Sequence, residues 1–233
     1  MDSTSDPFSP IRPDDALCCS VIDGDLPGIE DDILSLIAKN PIAGLTRAIT
    51  LAIRMKNVSA FSLLLKHAEV DDDIAEAAAQ TEDPDIFQVI LDHNWPIDRN
   101  LRRRSIPSLL IFSVCNVVFL DWLLQKGADP NAISILNETA LSFAIREGTL
   151  SAVKRLLVAG TDVFRGDLFH AAASRECSSD VTLIVDLLVE RGVPLDTYEF
   201  DNDIAKPLRY GYKSGTALHV ACEKHNYHAV RAF

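Results

Sequence analysis

Leu123-Leu124-Gln125-Lys126-Gly127-Ala128-Asp129-Pro130-Asn131 decides the fold, because its pattern returns. Leu156-Leu157 lies 33 residues further on and is followed by Gly160-Thr161-Asp162-Val163. An apolar pair, a glycine stop and an acidic turn at a fixed period near 33 mark a chain of stacked repeats. Each such unit buries one face within itself and needs neighbours for the others. Chains of this kind usually work by presenting a surface rather than by running a reaction.

The clearest unit runs from Asn137 to Val163. Thr139 is placed to cap a helix that opens Ala140-Leu141-Ser142-Phe143-Ala144. Gly148 reads as its stop, at a turn that glycine makes without a Cβ penalty. Val153, Leu156 and Leu157 then fall at i, i+3 and i+4 on one face of a second helix, which Gly160 ends. The opening motif recurs as Thr216-Ala217-Leu218-His219-Val220-Ala221. A looser copy is Asp167-Leu168-Phe169-His170-Ala171-Ala172, closed by Leu187-Leu188 and Gly192.

These units resemble the ankyrin repeat, whose pattern is Thr-Pro-Leu-His-x-Ala, a Gly four residues on, Val-x-x-Leu-Leu and Gly-Ala-Asp, with Ala217 here in the place of the family's Pro. The register extends backwards through Pro107-Ser108-Leu109-Leu110. Further copies are residues 75–79 with Ile86, Val89, Ile90 and Leu91, residues 47–52 with Phe61, Leu64 and Leu65, and residues 16–20 with Gly24. Several early units lack Gly-Ala-Asp. The wording of the later ones is similar to arrays common in fungal proteomes. The resemblance implies an all-α ankyrin-repeat solenoid of stacked helix-turn-helix units with hairpin loops, six units plus a truncated seventh. The units fall near 14–43, 44–72, 73–104, 105–136, 137–165, 166–213 and 214–233, after a Pro-containing flexible tail over 1–13. It also implies structural roles: helix capping and inter-unit hydrogen bonds for Thr139, Thr216, His170 and His219, and turns at Gly127, Gly148, Gly160 and Gly192.

A chain of 233 residues with 48% hydrophobic composition folds, and one continuous array suits it better than two compact domains. Its net charge of −12 repels phosphate backbones, which argues against nucleic acid as the main partner. The five cysteines (18, 19, 115, 177, 222) include no Cys-x-x-Cys, and most fall at expected helix interior. Reduced, buried thiols in an intracellular protein, cytoplasmic or nuclear, fit that pattern. The first dozen residues do not read as a signal peptide. Ile106 to Leu124 imitates a membrane span of 19 residues behind Arg102-Arg103-Arg104. Pro107, Asn116 and Asp121 oppose it, an Asp alone costing ~2.5–3.5 kcal/mol at a helix centre. A central repeat unit accounts for the same apolar residues.

The pattern breaks in three places. Val230 matches Val153, so the sequence stops at Phe233, midway through a second helix; a fragment or a frayed half cap is expected there. From Leu187 to the equivalent Phe233 is 46 residues instead of 33, and the excess over 196–214 places Tyr198, Tyr210 and Tyr212 in one loop. That loop is either a binding element or packing against neighbouring hairpins. Ile135 and Leu136 occupy a hairpin tip, either as an exposed contact patch or folded back on Val163 and Phe164.

No phosphate-binding Gly-rich loop, nucleophile elbow or zinc spacing is present in the sequence, so no catalytic residue, cofactor or metal ion is assigned. His225 and His228 lie three apart without a third ligand. Asp71-Asp72-Asp73 reads as a helix start, lacking the Gly turn and distal Glu of a calcium loop.

If the resemblance holds, two positions before each unit's turn line a concave groove. They are Arg54 and Met55, Gln80 and Thr81, Val114 and Cys115, Arg146 and Glu147, Ser174 and Arg175, Glu223 and Lys224. The expected function is a non-catalytic, monomeric interaction scaffold that docks a partner protein there, helped by Ile135, Leu136, Tyr198, Tyr210 and Tyr212. Two rivals stand beside it: a repeat scaffold recruited as an enzyme with a pocket at the 196–214 insertion, and a stable segment of a protein whose activity lies elsewhere.

Overall fold

The computed structural model describes residues 16–37, 42–99, 106–134, 136–176, 180–198 and 215–233. The described residues form seven helix pairs. The only ladder among them is an isolated antiparallel bridge between Ile133 and Thr139. The chain divides into two compact units, Met1–Pro96 and Ile97–Phe233.

In the first unit the pairs are α1 (Ala16–Asp23) with α2 (Leu26–Ile37), α3 (Ile42–Arg54) with α4 (Val58–Leu65), and α5 (Asp72–Gln80) with α6 (Pro84–Asp92). First helices pack on first helices, α1 on α3 and α3 on α5. Second helices pack likewise, α2 on α4 and α4 on α6. Composition explains the two rows. The first helices bring small residues to the contact, Ala48 and Ala52 in α3 and Ala75, Ala78 and Ala79 in α5, all fully buried, so backbones approach closely. The second helices fill the space between with Phe61, Leu64, Ile86, Phe87 and Ile90. Starts are capped locally. Asn57 Oδ1 accepts from Ala60 N at 3.0 Å, Asp71 Oδ1 accepts from Ile74 N at 2.8 Å, and Asp83 Oδ1 accepts from Asp85 N at 3.0 Å. The Asp71-Asp72-Asp73 run is therefore a helix start.

In the second unit a 3-10 helix (Leu109–Ser113) pairs with α7 (Val117–Gln125), α8 (Ala140–Arg146) with α9 (Leu150–Val158), α10 (Leu168–Ser174) with α11 (Val181–Glu190), and α12 (Ala217–Glu223) with α13 (Tyr227–Ala232). The 3-10 geometry has a use. Five residues rising 2.0 Å each span about 10 Å. That is close to the ~10.5 Å of the seven-residue α-helices α8, α10 and α12 at 1.5 Å per residue. The apolar stretch from Ile106 is thus split between a 3-10 turn and α7, and among the described residues no helix is long and apolar enough to cross a membrane.

Leu123, Leu156 and Leu188 are buried at equivalent places in α7, α9 and α11, each with a half-buried Leu beside it. Gly127, Gly160 and Gly192 end these helices at φ +93, +85 and +74. Open space surrounds the point where a Cβ would stand, so it is the left-handed backbone that asks for glycine.

Gly148 behaves differently from its reading as a turn glycine. Its φ is not in the left-handed region; instead, a Cβ there would meet Val114 O at 2.7 Å and Ala144 Cα at 2.8 Å. Thr149 N donates to Val114 O at 3.0 Å, so Gly148 lets the preceding pair's backbone pass. The left-handed conformation falls at the equivalent position of other units, before the N-caps Asn57, Asp83 and Asn226, where it is adopted by Lys56 (φ 54), Glu82 (φ 51) and His225 (φ 53).

Candidate protein-binding surface

The surface is built on backbone joints between successive pairs. Asn131 Oδ1 accepts from Asp162 N at 2.6 Å and its amide donates to Gly160 O at 3.4 Å. Asp129 N donates to Asp98 Oδ1 at 2.7 Å in the same manner one pair earlier. In the second unit, the Asp98, Asp129 and Asp162 turns are therefore fastened in succession. The tip before α8 is a tight hairpin: Ser134 N donates to Glu138 O at 2.9 Å, and Ser134 Oγ accepts from Leu136 N and Glu138 N, both at 3.1 Å. Leu136 is half-buried there, while Ile135 lies outside the described residues.

Thr139 and Ser142 form a reciprocal capping box. Thr139 Oγ1 accepts from Ser142 N at 3.1 Å and Ser142 Oγ accepts from Thr139 N at 2.9 Å. In α12 the Thr216 N–H and hydroxyl both donate to His219 Nδ1, at 3.3 and 2.8 Å. His170 is buried, and its Nε2 donates to Gly215 O at 2.9 Å, which joins α10 to the start of the following pair. These histidines and threonines are occupied in holding backbone.

The expected contact residues divide into available and unavailable ones. In the first unit Arg54, Met55 and Gln80 are exposed. Thr81 is half-buried, with its hydroxyl donating to Ala78 O at 2.7 Å. In the second unit Glu147, Glu223, Lys224 and Tyr198 are exposed. Arg146 is half-buried, stacked 4.4 Å from the Phe143 ring centroid and paired with Glu138 at 3.2 Å and Glu147 at 2.8 Å. Val114 is 5% exposed, and its neighbour Cys115 faces solvent instead. Arg175 is 9% exposed; its guanidinium donates to Ile145 O at 2.7 Å, Gly148 O at 2.9 Å and Ala144 O at 3.4 Å. Val114 and Arg175 therefore leave the contact row, because burial and backbone bonding use them up. Tyr210 and Tyr212, with most of the 196–214 insertion, lie outside the described residues, as do Arg102-Arg103-Arg104 and residues 1–13.

The cysteine expectation also changes. Cys18 is buried, Cys19 is half-buried, and Cys115 and Cys222 are exposed. Cys177 lies outside the described residues. His225 and His228 are exposed, and no cluster of three His, Cys, Asp or Glu side chains able to hold a metal occurs among the described residues.

A cavity of about 380 Å³ lies between the loops after α9 and α11, at the start of the 196–214 insertion where the rival reading expects a pocket; the walls it takes from the loop after α9 were not foreseen. Phe164, Asp167, Val193, Pro194, Asp196 and Tyr198 are among its walls. The clue in the sequence was Phe164, an aromatic residue placed after an acidic turn.

Helix pairs packed in rows, with three successive turns of the second unit tied together, define a stacked helix-pair repeat fold. That fold is the one seen in ankyrin-repeat domains. The family profile "Ankyrin repeats (many copies)" matches residues 115–157. Among solved structures, the ankyrin repeat domain of Bcl-3, described as a unique member of the IkappaB protein family, superposes with a TM-score of 0.60 at 22% identity over 95% of this chain and 100% of that one. That likeness is one of fold. No curated protein sequence matches the chain.

Proposed function

We propose that the chain is a non-catalytic scaffold that binds a partner protein through the turns and hairpin tips of its repeats. The observation that carries this reading is the fastening of successive turns: Asn131 to Asp162 and Asp98 to Asp129 hold a row of exposed side chains in fixed register, so little ordering entropy remains to be lost on binding. Glu147, Glu223, Lys224 and Tyr198 stand exposed in the second unit, and Arg54, Met55 and Gln80 in the first. Their mixed charge suits a protein segment better than a polyanion. Leu136, Ile135, Tyr210 and Tyr212 belong to the same proposed surface. The scaffold is proposed to act as a monomer inside the cell, in the cytoplasm or nucleus. The described walls of the 380 Å³ cavity hold no His or Cys, which offers little to the rival reading as an enzyme.

The test is retention of a partner by the intact chain, identified by cross-linking from cells. Serine at Leu136, Tyr198, Tyr210 and Tyr212 should release it. Serine at Val118 and Val158, exposed on the second helices α7 and α9, should not. The opposite result refutes the proposal.

A further inference from the structure

We infer that the last helix pair, α12 and α13, stacks on the first pair, α1 and α2, of a second copy of this chain, so that copies add end to end. The two end pairs expose opposite halves of one interface. Leu218, the second residue of α12, is 46% exposed, and Val230, four residues after the N-cap of α13, is 36% exposed. Inner pairs bury an apolar side chain at both places. The second residues of α8 and α10 are Leu141 and Phe169, and four residues after the N-caps of α7 and α9 stand Leu120 and Val153, all buried. These positions are covered wherever a pair follows.

The α1–α2 end shows the other half, made of small residues. Ala16 is exposed and Ser20 half-buried, at the first and fifth positions of α1. The same positions hold Ala140 and Ala144 in α8 and Ala217 and Ala221 in α12, all buried. They are covered wherever a pair precedes, as α10 precedes α12. Ala16 and Ser20 of one copy against Leu218 and Val230 of another therefore repeat the small-on-large packing used inside the array.

Charge matches as well. Residues 16–37 hold five carboxylates and no Lys or Arg, whereas residues 216–233 hold Lys224 and Arg231 against Glu223. Inside the array Asp121, five residues after the N-cap of α7, pairs with Arg155, six after the N-cap of α9. At a junction of two copies those places belong to Arg231, five after Asn226, and Asp31, six after Asp25, which is the same pair with its signs exchanged. Lys56, just before the N-cap of α4, likewise pairs with the N-cap Asp83 at 3.3 Å. Their counterparts are Asp25, just before α2, and His225, which shares the left-handed backbone of Lys56 at φ 53 against 54. Arg231, Asp31, His225 and Asp25 are all exposed. Asp32 works against the contact. It stands seven residues after Asp25, where α7 and α9 carry Leu123 and Leu156, and burying a carboxylate held only by Ser20 Oγ at 2.8 Å is costly. The chain is therefore a monomer when dilute, and the ends meet where copies are concentrated.

Sedimentation equilibrium of the intact chain is the experiment. The weight-average mass should climb above 25.6 kDa between ~0.01 and ~1 mM protein, with a Kd of about 0.1–1 mM, and climb less in about 0.5 M NaCl. Arg231→Glu and Asp31→Arg, each alone, should weaken association about fivefold, and Leu218→Ser should weaken it too. An equimolar mixture of the two charge variants should restore it, because every junction between unlike copies again joins opposite signs. All three residues are exposed, and circular dichroism checks that each variant keeps its helices. A mass of 25.6 kDa at every concentration, or charge variants that associate as the parent does, overturns the inference. A mixture no better than either variant overturns it in favour of like ends meeting. Arg231, Asp31 and Leu218 lie outside the proposed partner surface, so each of these failures leaves the scaffold reading standing, and loss of the scaffold reading leaves this contact to be judged by its own masses.

Discussion

The Arg175 guanidinium donates to the Gly148 carbonyl at 2.9 Å, so the end of α8 is completed by a side chain from the following helix pair. The last carbonyls of a helix lack intrahelical partners, and burying them unmet is costly. Asn226 repeats the arrangement one pair later, donating to Ala173 O at 3.1 Å and Arg175 O at 2.8 Å. Arg175→Ala should therefore destabilise the second unit by about 1.5–3 kcal/mol, the range for hydrogen bonds to a charged group. Arg175→Lys should recover only part, because an ammonium cannot reproduce the planar fork. Urea unfolding followed by circular dichroism measures both.

Gly148 and Glu82 occupy equivalent positions with opposite demands. Gly148→Ala places a Cβ against Val114 O and should cost about 1–3 kcal/mol, since backbone on both sides resists displacement. Glu82→Gly relieves a left-handed residue and should be neutral or stabilising by up to about 1 kcal/mol, the relief being offset by added freedom of the unfolded chain. Thermal melts should show a clear fall for Gly148→Ala and none for Glu82→Gly.

Asn131→Ala removes the acceptor for Asp162 N and the donor to Gly160 O. A loss of about 1–2 kcal/mol is expected from two neutral hydrogen bonds. Hydrogen exchange should show faster opening at Asp162 and Phe164.

The thiols offer a chemical check on burial. A maleimide should label Cys115 and Cys222 in the folded protein within minutes and leave Cys18, at 0% exposure, until the first unit unfolds. Peptide mass spectrometry reads each site separately.

Among the described residues, α12 and α13 contribute only Ala217, Ala221 and Ala229 to the buried set, beside the N-cap Asn226 between them, with Leu218, Tyr227 and Val230 exposed. Their amides should exchange ahead of those in α8 and α10. Equal protection would contradict this.

Much of the fold was legible because the repeat writes its energetics into spacing. The Leu pairs and the glycines 127, 160 and 192 are separated by whole units, and both the burial and the left-handed turns follow from that. What escaped the sequence was whatever depends on the neighbouring pair. Gly148 looked like a turn glycine, but its reason is the Val114 carbonyl, from a different helix pair. Arg175 read as a surface residue because its position in the motif faces outward, yet the carbonyls it meets belong to residues 144–148. Val114 is buried and Cys115 exposed because five residues in 3-10 geometry rotate their side chains differently from an α-turn. The cavity at the start of the 196–214 insertion was legible only on that side: its other wall comes from a loop about 30 residues earlier, which the sequence does not bring to it.

The short 3-10 helix has a consequence for how such arrays change over time. Counting residues and measuring ångströms are separate rulers, and a tighter coil converts one into the other: fewer monomers cover nearly the same axial distance. A lineage losing an amino acid from that stretch keeps its neighbours' pitch by over-winding rather than by shifting them, so deletions can be absorbed where they occur without propagating to the adjoining loops.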